Sequence, residues 1–275
     1  MTSFSTTRRP VPSLFISHGA PTLAVVPGQA GPALAGLGER LKLAYPELRG
    51  IVVMSPHWVT EVLAIQTHGN APILHDFSGF PESLYRLEYP APGSSEMAVR
   101  VADLLQQAGL MTAKEPRRGL DHGAWVPLRY LFPSANLPVI QVSMPYPRKP
   151  SYYFGIGEAL REMAGEGYLI LGSGGLTHNL GHYRGQPEEA EALPYLAPFV
   201  DWFNDHLMAW DLEALFDYRR RAPNADLAHP MDDHLMPMYF AMGAGASAHA
   251  SHLHASVSHG ILAMDIFSFG EIARA

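Results

Sequence analysis

Residues 168–180 read YLILGSGGLTHNL. Tyr168 to Leu171 form a short apolar run without polar alternation, the pattern of a strand covered on both faces. The glycines at 172, 174 and 175 then let the chain bend or let another group approach its backbone. They could also gather backbone N–H groups into an anion nest. A phosphate loop would place Lys-Ser or Lys-Thr after its glycines, and that is missing. A nucleophile elbow needs Gly-x-Ser-x-Gly, which Gly172-Ser173-Gly174 does not supply. Ser173 is therefore not expected to be a nucleophile. The expected reading is a histidine, His178, presented by a bend at the end of a buried strand.

The same arrangement recurs along the chain. Leu14 to Ile16 run into Ser17-His18-Gly19, and Ile51 to Met54 run into Ser55-Pro56-His57; Val139 to Val142 make a further apolar run. Between these lie helical patterns at 33–43, 95–108, 153–164 and 198–207, the second opened by Ser94 and Ser95 as caps with Glu96 in its first turn. Alternating strands and helices predict an α/β fold. No linker divides residues 1–275, so the expectation is one domain with a central, mostly parallel or mixed β-sheet flanked by helices on both faces. Residues 68–92, broken by prolines and glycines, read as a long irregular loop of the kind that carries function. Residues 244–260 are small and histidine-rich and suggest a terminal hairpin or edge strand, and Arg219-Arg220-Arg221 reads as a solvated loop.

The net charge of −7 argues against a nucleic-acid partner, which would want a basic face. No run approaches the ~20 apolar residues of a membrane helix, and Arg8-Arg9 is not followed by a signal-peptide core. The expected setting is cytoplasmic. There is no cysteine, so disulfides and thiolate metal sites are excluded, and a metal here must be held by imidazole and carboxylate.

The fourteen histidines then carry the argument. His18, His57 and His178 follow strand ends, where open α/β sheets place their ligand crevice. His122 follows Asp121, and His234 precedes a helical pattern whose Pro237 suits a first turn. Imidazoles scattered in sequence that converge at one point are the usual pattern of a catalytic metal site, whereas structural sites show tight local spacing. His68, His182, His206 and His229 are expected at the surface or behind the site. His249, His252, His254 and His259 are expected as plain strand or loop residues. His75, beside Asp76, is read equally as a substrate contact or a structural residue.

Five motifs in order complete the picture: SHGAP at 17–21, SPHW at 55–58, HDFSGFP at 75–81 with YPAPGS at 89–94, DHGAW at 121–125, and GSGGLTHNL at 172–180. Together they resemble the LigB-like class III extradiol ring-cleavage dioxygenases, in the branch named for 4,5-DOPA extradiol dioxygenase, from Pro12 to about Phe269. The resemblance implies Fe(II) for activity, with Zn(II) as an isolated form. It implies His18 and His57 as two ligands and His234 as the third, where the broader class has a glutamate; Asp232 or Asp233 could supply a carboxylate instead. It implies His178 as the active-site base, which can also reach the metal when no substrate is bound, and His122 as a second active-site histidine. The partners would be a catechol and O₂, the protein a monomer or small homo-oligomer. His75, Trp58, Tyr239 and Phe80 are candidates to contact the ring. Two other readings stay open: a zinc hydrolase with Asp121, Asp232 or Asp233 as base, and metal storage by the histidine-rich tail.

Overall fold

In the computed structural model, residues 9–70 and 72–273 are described; Arg8 lies outside them. The strands are β1 (Ser13–Ser17), β2 (Gly50–Thr60), β3 (Ala64–Gln66), β4 (Ala113–Glu115), β5 (Val139–Pro145), β6 (Tyr168–Gly174), β7 (Ala250–His254), β8 (Val257–Ser258), β9 (Leu262–Ala263) and β10 (Ile266–Phe269). The helices are α1 (Ala30–Ala44), α2 (Ser95–Gln107), α3 (His122–Leu131), α4 (Pro150–Leu160), α5 (Glu162–Gly165), α6 (Leu196–Met208), α7 (Leu212–Phe216), α8 (Tyr218–Arg221), α9 (Ala225–Ala228) and α10 (Met236–Ala244).

Eight strands make one sheet in the order β4-β3-β5-β2-β6-β1-β10-β7. Its centre, β5-β2-β6-β1, is parallel, while β10 and β7 add antiparallel pairs on one side and β3 meets β5 antiparallel on the other. The fold is thus a single α/β domain with a mixed central sheet. The apolar runs are continuous because both faces are covered. Leu14, Ile16, Ile51, Val53, Leu169 and Leu171 join a core with α1 and α3. Phe15, Val52, Met54 and Ile170 join the opposite core with α2, α4, α6 and α10. Strand periodicity sends alternate residues to alternate faces, so a chain that buries both must be apolar throughout.

The glycines of β6 answer to packing. A Cβ on Gly172 would run into the Pro237 carbonyl, and one on Gly174 into the His234 carbonyl. The segment that carries His234 and opens α10 therefore lies directly on the end of β6. The histidine-rich tail forms the edge strand β7 and a small β8–β9 hairpin. Arg219 departs from the expected solvated loop: it lies in α8, donates to the carbonyl of His229 and faces Asp232 at 3.5 Å. Among the described residues, no helix is long and apolar enough to cross a membrane.

Candidate metal centre and active site

The carboxyl ends of the parallel strands bring the histidines together. His18 directly follows β1, and its N–H donates to the Gly174 carbonyl at 2.9 Å, extending the β1–β6 pairing. His57 lies within β2, His122 opens α3, and His234 sits in a 3₁₀ turn, Asp233–Leu235, ahead of α10. His178 follows β6, with its N–H donating to the Ala228 carbonyl at 2.9 Å. Asp121 caps α3 by accepting from the Ala124 N–H at 3.2 Å. Gly123 in its first turn leaves room for the cluster, since a Cβ there would lie 3.0 Å from His57 and 3.2 Å from His18.

One nitrogen each of His18, His57 and His234 falls within 4.8 Å of the others. His18 Nε2 and His57 Nε2 are 3.0 Å apart. That is the separation of two nitrogens each ~2.1 Å from one ion at about a right angle. Ser173 fixes the His18 tautomer. Its hydroxyl donates to the Gly123 carbonyl, so its oxygen accepts from His18 Nδ1 at 3.0 Å, leaving the Nε2 lone pair to the site. His234 Nδ1 is buried without a hydrogen-bond partner; Asp233 Oδ2 stands 3.3 Å away but out of line.

Burial, aided by the neighbouring imidazoles, holds His18 and His234 well below the usual histidine range. It pushes His57 down to about 3, with His122 adding to the effect and Asp76 opposing it. Burial also lowers His178. The site therefore resists protons and keeps neutral imidazole lone pairs, which is the form that binds a metal. Three converging nitrogens, a 3.0 Å pair and a preset tautomer fit a single cation suited to imidazole, such as iron or zinc.

His57, His122 and Asp76 form a second close group. Here both Asp76 oxygens are committed to His122: Oδ1 accepts its backbone N–H at 2.9 Å and Oδ2 accepts Nδ1–H at 3.0 Å. Burial pushes the Asp76 carboxyl up, but the bonds from His122 outweigh it and the carboxyl ends below its usual range. This group is a carboxylate–histidine dyad rather than a ligand set, and it aims His122 Nε2 away from Asp76. His178 stacks face to face on His234, with ring centres 3.4 Å apart and planes 5° from parallel; it is not in the close three-nitrogen group.

The cluster opens on a cavity of ≈600 Å³. Besides His18, His57, His122, His178 and His234, its walls include Phe77 and Phe80 from the irregular 68–92 loop and Leu180, Ile261 and Leu262. Phe80, a candidate ring contact, lines this cavity.

Three other sequence candidates lie elsewhere. Trp58 is buried beneath Arg118, whose guanidinium carbon is 5.1 Å from its ring, and is not part of the wall. It follows His57 on an extended strand, so its side chain takes the opposite face. Tyr239 is fully buried in α10 and donates to the Leu215 carbonyl at 2.7 Å. His75 packs behind the wall against Phe77, Tyr85 and Trp125, at ring distances of 5.8, 5.7 and 6.0 Å.

Of the carboxylates expected near the metal, Asp233 lies beside His234, while Asp121 and Asp232 are engaged elsewhere. Asp121 is held by Gln141 and Arg118, and Asp232 by the Tyr146 hydroxyl at 2.8 Å. His229, expected at the surface or behind the site, is fully buried with Nε2 2.8 Å from the Leu176 carbonyl. Asp76, Glu188 and His259 belong to the site region but carry no spacing signal in the sequence.

A row of central strand ends that gathers neutral imidazoles beside an apolar cavity with two further histidines is the site of a metal-dependent enzyme acting on a small, largely apolar molecule. The profile of the LigB family, described as the catalytic LigB subunit of aromatic ring-opening dioxygenase, matches residues 12–265. The chain belongs to this family and is an extradiol ring-cleaving dioxygenase. It is 36% identical over 261 residues to a 4,5-DOPA dioxygenase extradiol of Beta vulgaris, covering 94% of this chain and 96% of the relative. It is 34% identical to the protein of that name from Portulaca grandiflora, with 94% and 96% covered. It is 32% identical to one from Escherichia coli K12, with 85% of each covered. A crystal structure of an uncharacterized protein from Escherichia coli K12 shares the fold, with a TM-score of 0.76 at 24% identity, covering 94% of this chain and all of that one.

Proposed function

We propose that the chain opens the ring of a DOPA-like catechol next to its diol, with His18, His57 and His234 holding Fe(II). The observation that carries this reading is the three-histidine cluster at the floor of an apolar cavity. Fe(II) there would supply a Lewis acid and an electron relay between catechol and O₂; Zn(II) suits the same donors but offers no redox change.

The chain's own residues do the remaining work. Phe77 and Phe80 hold the ring between apolar surfaces and keep water from the diol. His178, kept neutral by burial, takes a proton from a catechol hydroxyl as the diol approaches the cluster. His122, steered by Asp76 through Nδ1, offers Nε2 as a hydrogen-bonding group on the oxygen side of the reaction. His178 serves as base rather than as a standing ligand, which its stacking on His234 supports.

The test is anaerobic loading of the full chain with Fe(II), followed by an oxygen electrode and a panel of catechols. The expected result is uptake of one O₂ per catechol with a yellow ring-opened product. Absence of uptake with every catechol would overturn the reading.

A further inference from the structure

The cavity wall holds a carboxylate and an imidazole that ring opening itself does not require. Glu188, in the loop between β6 and α6, and His259, in the β8–β9 turn, both line it. Glu188 Oε2 accepts the Ser258 hydroxyl at 2.9 Å and lies 3.2 Å from His259 Nε2. His259 Nδ1 donates to the Gln186 carbonyl at 2.9 Å, and its N–H to the Glu188 carbonyl at 2.9 Å. The turn is wound tightly to achieve this: His259 has φ +53° and Gly260 φ +69°. Primed hairpin turns take such angles, but histidine adopts them at a cost, and that kind of strain gathers at functional sites.

Glu188 Oε1 has no hydrogen-bond partner among the described residues. It sits beside Gly28, where a Cβ would come within 2.7 Å of it. Among the described residues lining the cavity, Glu188 is the one carboxylate, and no lysine or arginine is present.

We propose that Glu188 is the specificity residue of this cavity and selects catechols whose side chain carries an ammonium group, with Oε1 as its acceptor. This rests on the ring-cleavage reading. With the diol at the histidines, the substituent lies along the rest of the wall. An ammonium group finds a free carboxylate oxygen there. A carboxylate substituent meets Glu188 without a lysine or arginine to answer it, and His259 is already engaged. One charge-assisted hydrogen bond corresponds to about 10- to 100-fold in selectivity.

The experiment compares kcat/KM of the Fe(II)-loaded full chain for dopamine, 4-ethylcatechol and 3,4-dihydroxyphenylacetate. The same protein is titrated calorimetrically with the non-cleavable phenols tyramine, 4-ethylphenol and 4-hydroxyphenylacetate. In both series the amine is expected to lead, the neutral compound to follow and the acid to trail. Glu188→Gln should lower the amine-to-neutral ratio about 10- to 100-fold while 4-ethylcatechol turnover stays within about threefold. A wild-type preference for the acid, or a ratio unmoved in Glu188→Gln, would overturn the assignment. Should no catechol be cleaved while tyramine still binds through Glu188, ring cleavage fails and the assignment stands. Cleavage without charge preference gives the converse.

Discussion

Ser173 Oγ stands between two groups: it donates to the Gly123 carbonyl and accepts from His18 Nδ1, so this hydroxyl decides which His18 nitrogen keeps a free lone pair. Ser173→Ala is expected to weaken metal binding about 10- to 100-fold, read by competition with a chromophoric chelator. Unchanged affinity would show that packing alone orients the ring. This residue was legible only by exclusion: its motif ruled out a nucleophile, but nothing in the sequence names its partners. The strand-end histidines were legible because short apolar runs stop at them. Asp76 was not, because its value lies in meeting His122, 46 positions away, from an irregular loop. Trp58 shows the opposite failing. Its place beside His57 suggested a shared site, yet neighbours on a strand face opposite ways.

At the scale of elements, β6 and the segment leading into α10 are pressed together. The Pro237 carbonyl occupies the space that a side chain at position 172 would fill. Gly172→Ala should destabilise the protein by about 1–3 kcal/mol in denaturant unfolding, because backbone rather than a mobile side chain must move. A shift of α10 would also displace His234, so metal affinity should fall in the same variant; stability lost with full affinity would mean that the turn relaxes independently. Helix positions were readable from periodicity and caps, as the cap of α2 at Ser94 illustrates. The role of α10 was not: a helix buried on every side has no stripe to betray which aromatics face a cavity, so Tyr239 looked available although it is a core residue.

Across the whole molecule, buried neutral histidines make acid the vulnerable direction. His229 is pushed down to about 4 by burial, against an ordinary 6.5, with the Leu176 carbonyl partly offsetting the effect. Between those values the unfolded chain binds a proton that the folded one refuses, so stability rises with pH and is lost as pH falls from about 6.5 toward 4. For His229 alone the loss between pH 7 and pH 5 is about 2 kcal/mol. Urea unfolding of metal-free protein at the two pH values, with His229→Gln for comparison, checks this; equal acid sensitivity in both proteins would assign it to other groups. The proposed donors of the metal centre come from β2, from the residue after β1 and from the turn before α10, so no contiguous fragment of the chain contains the constellation. Occupancy and folding are thereby thermodynamically linked: a cation that recognises only the closed sheet lends the native state RT ln(1 + [M]/Kd), ~2.7 kcal/mol at a hundredfold excess over Kd. A chelator thus acts on this enzyme as a mild denaturant, and the melting temperature becomes a gauge of how fully a preparation is loaded.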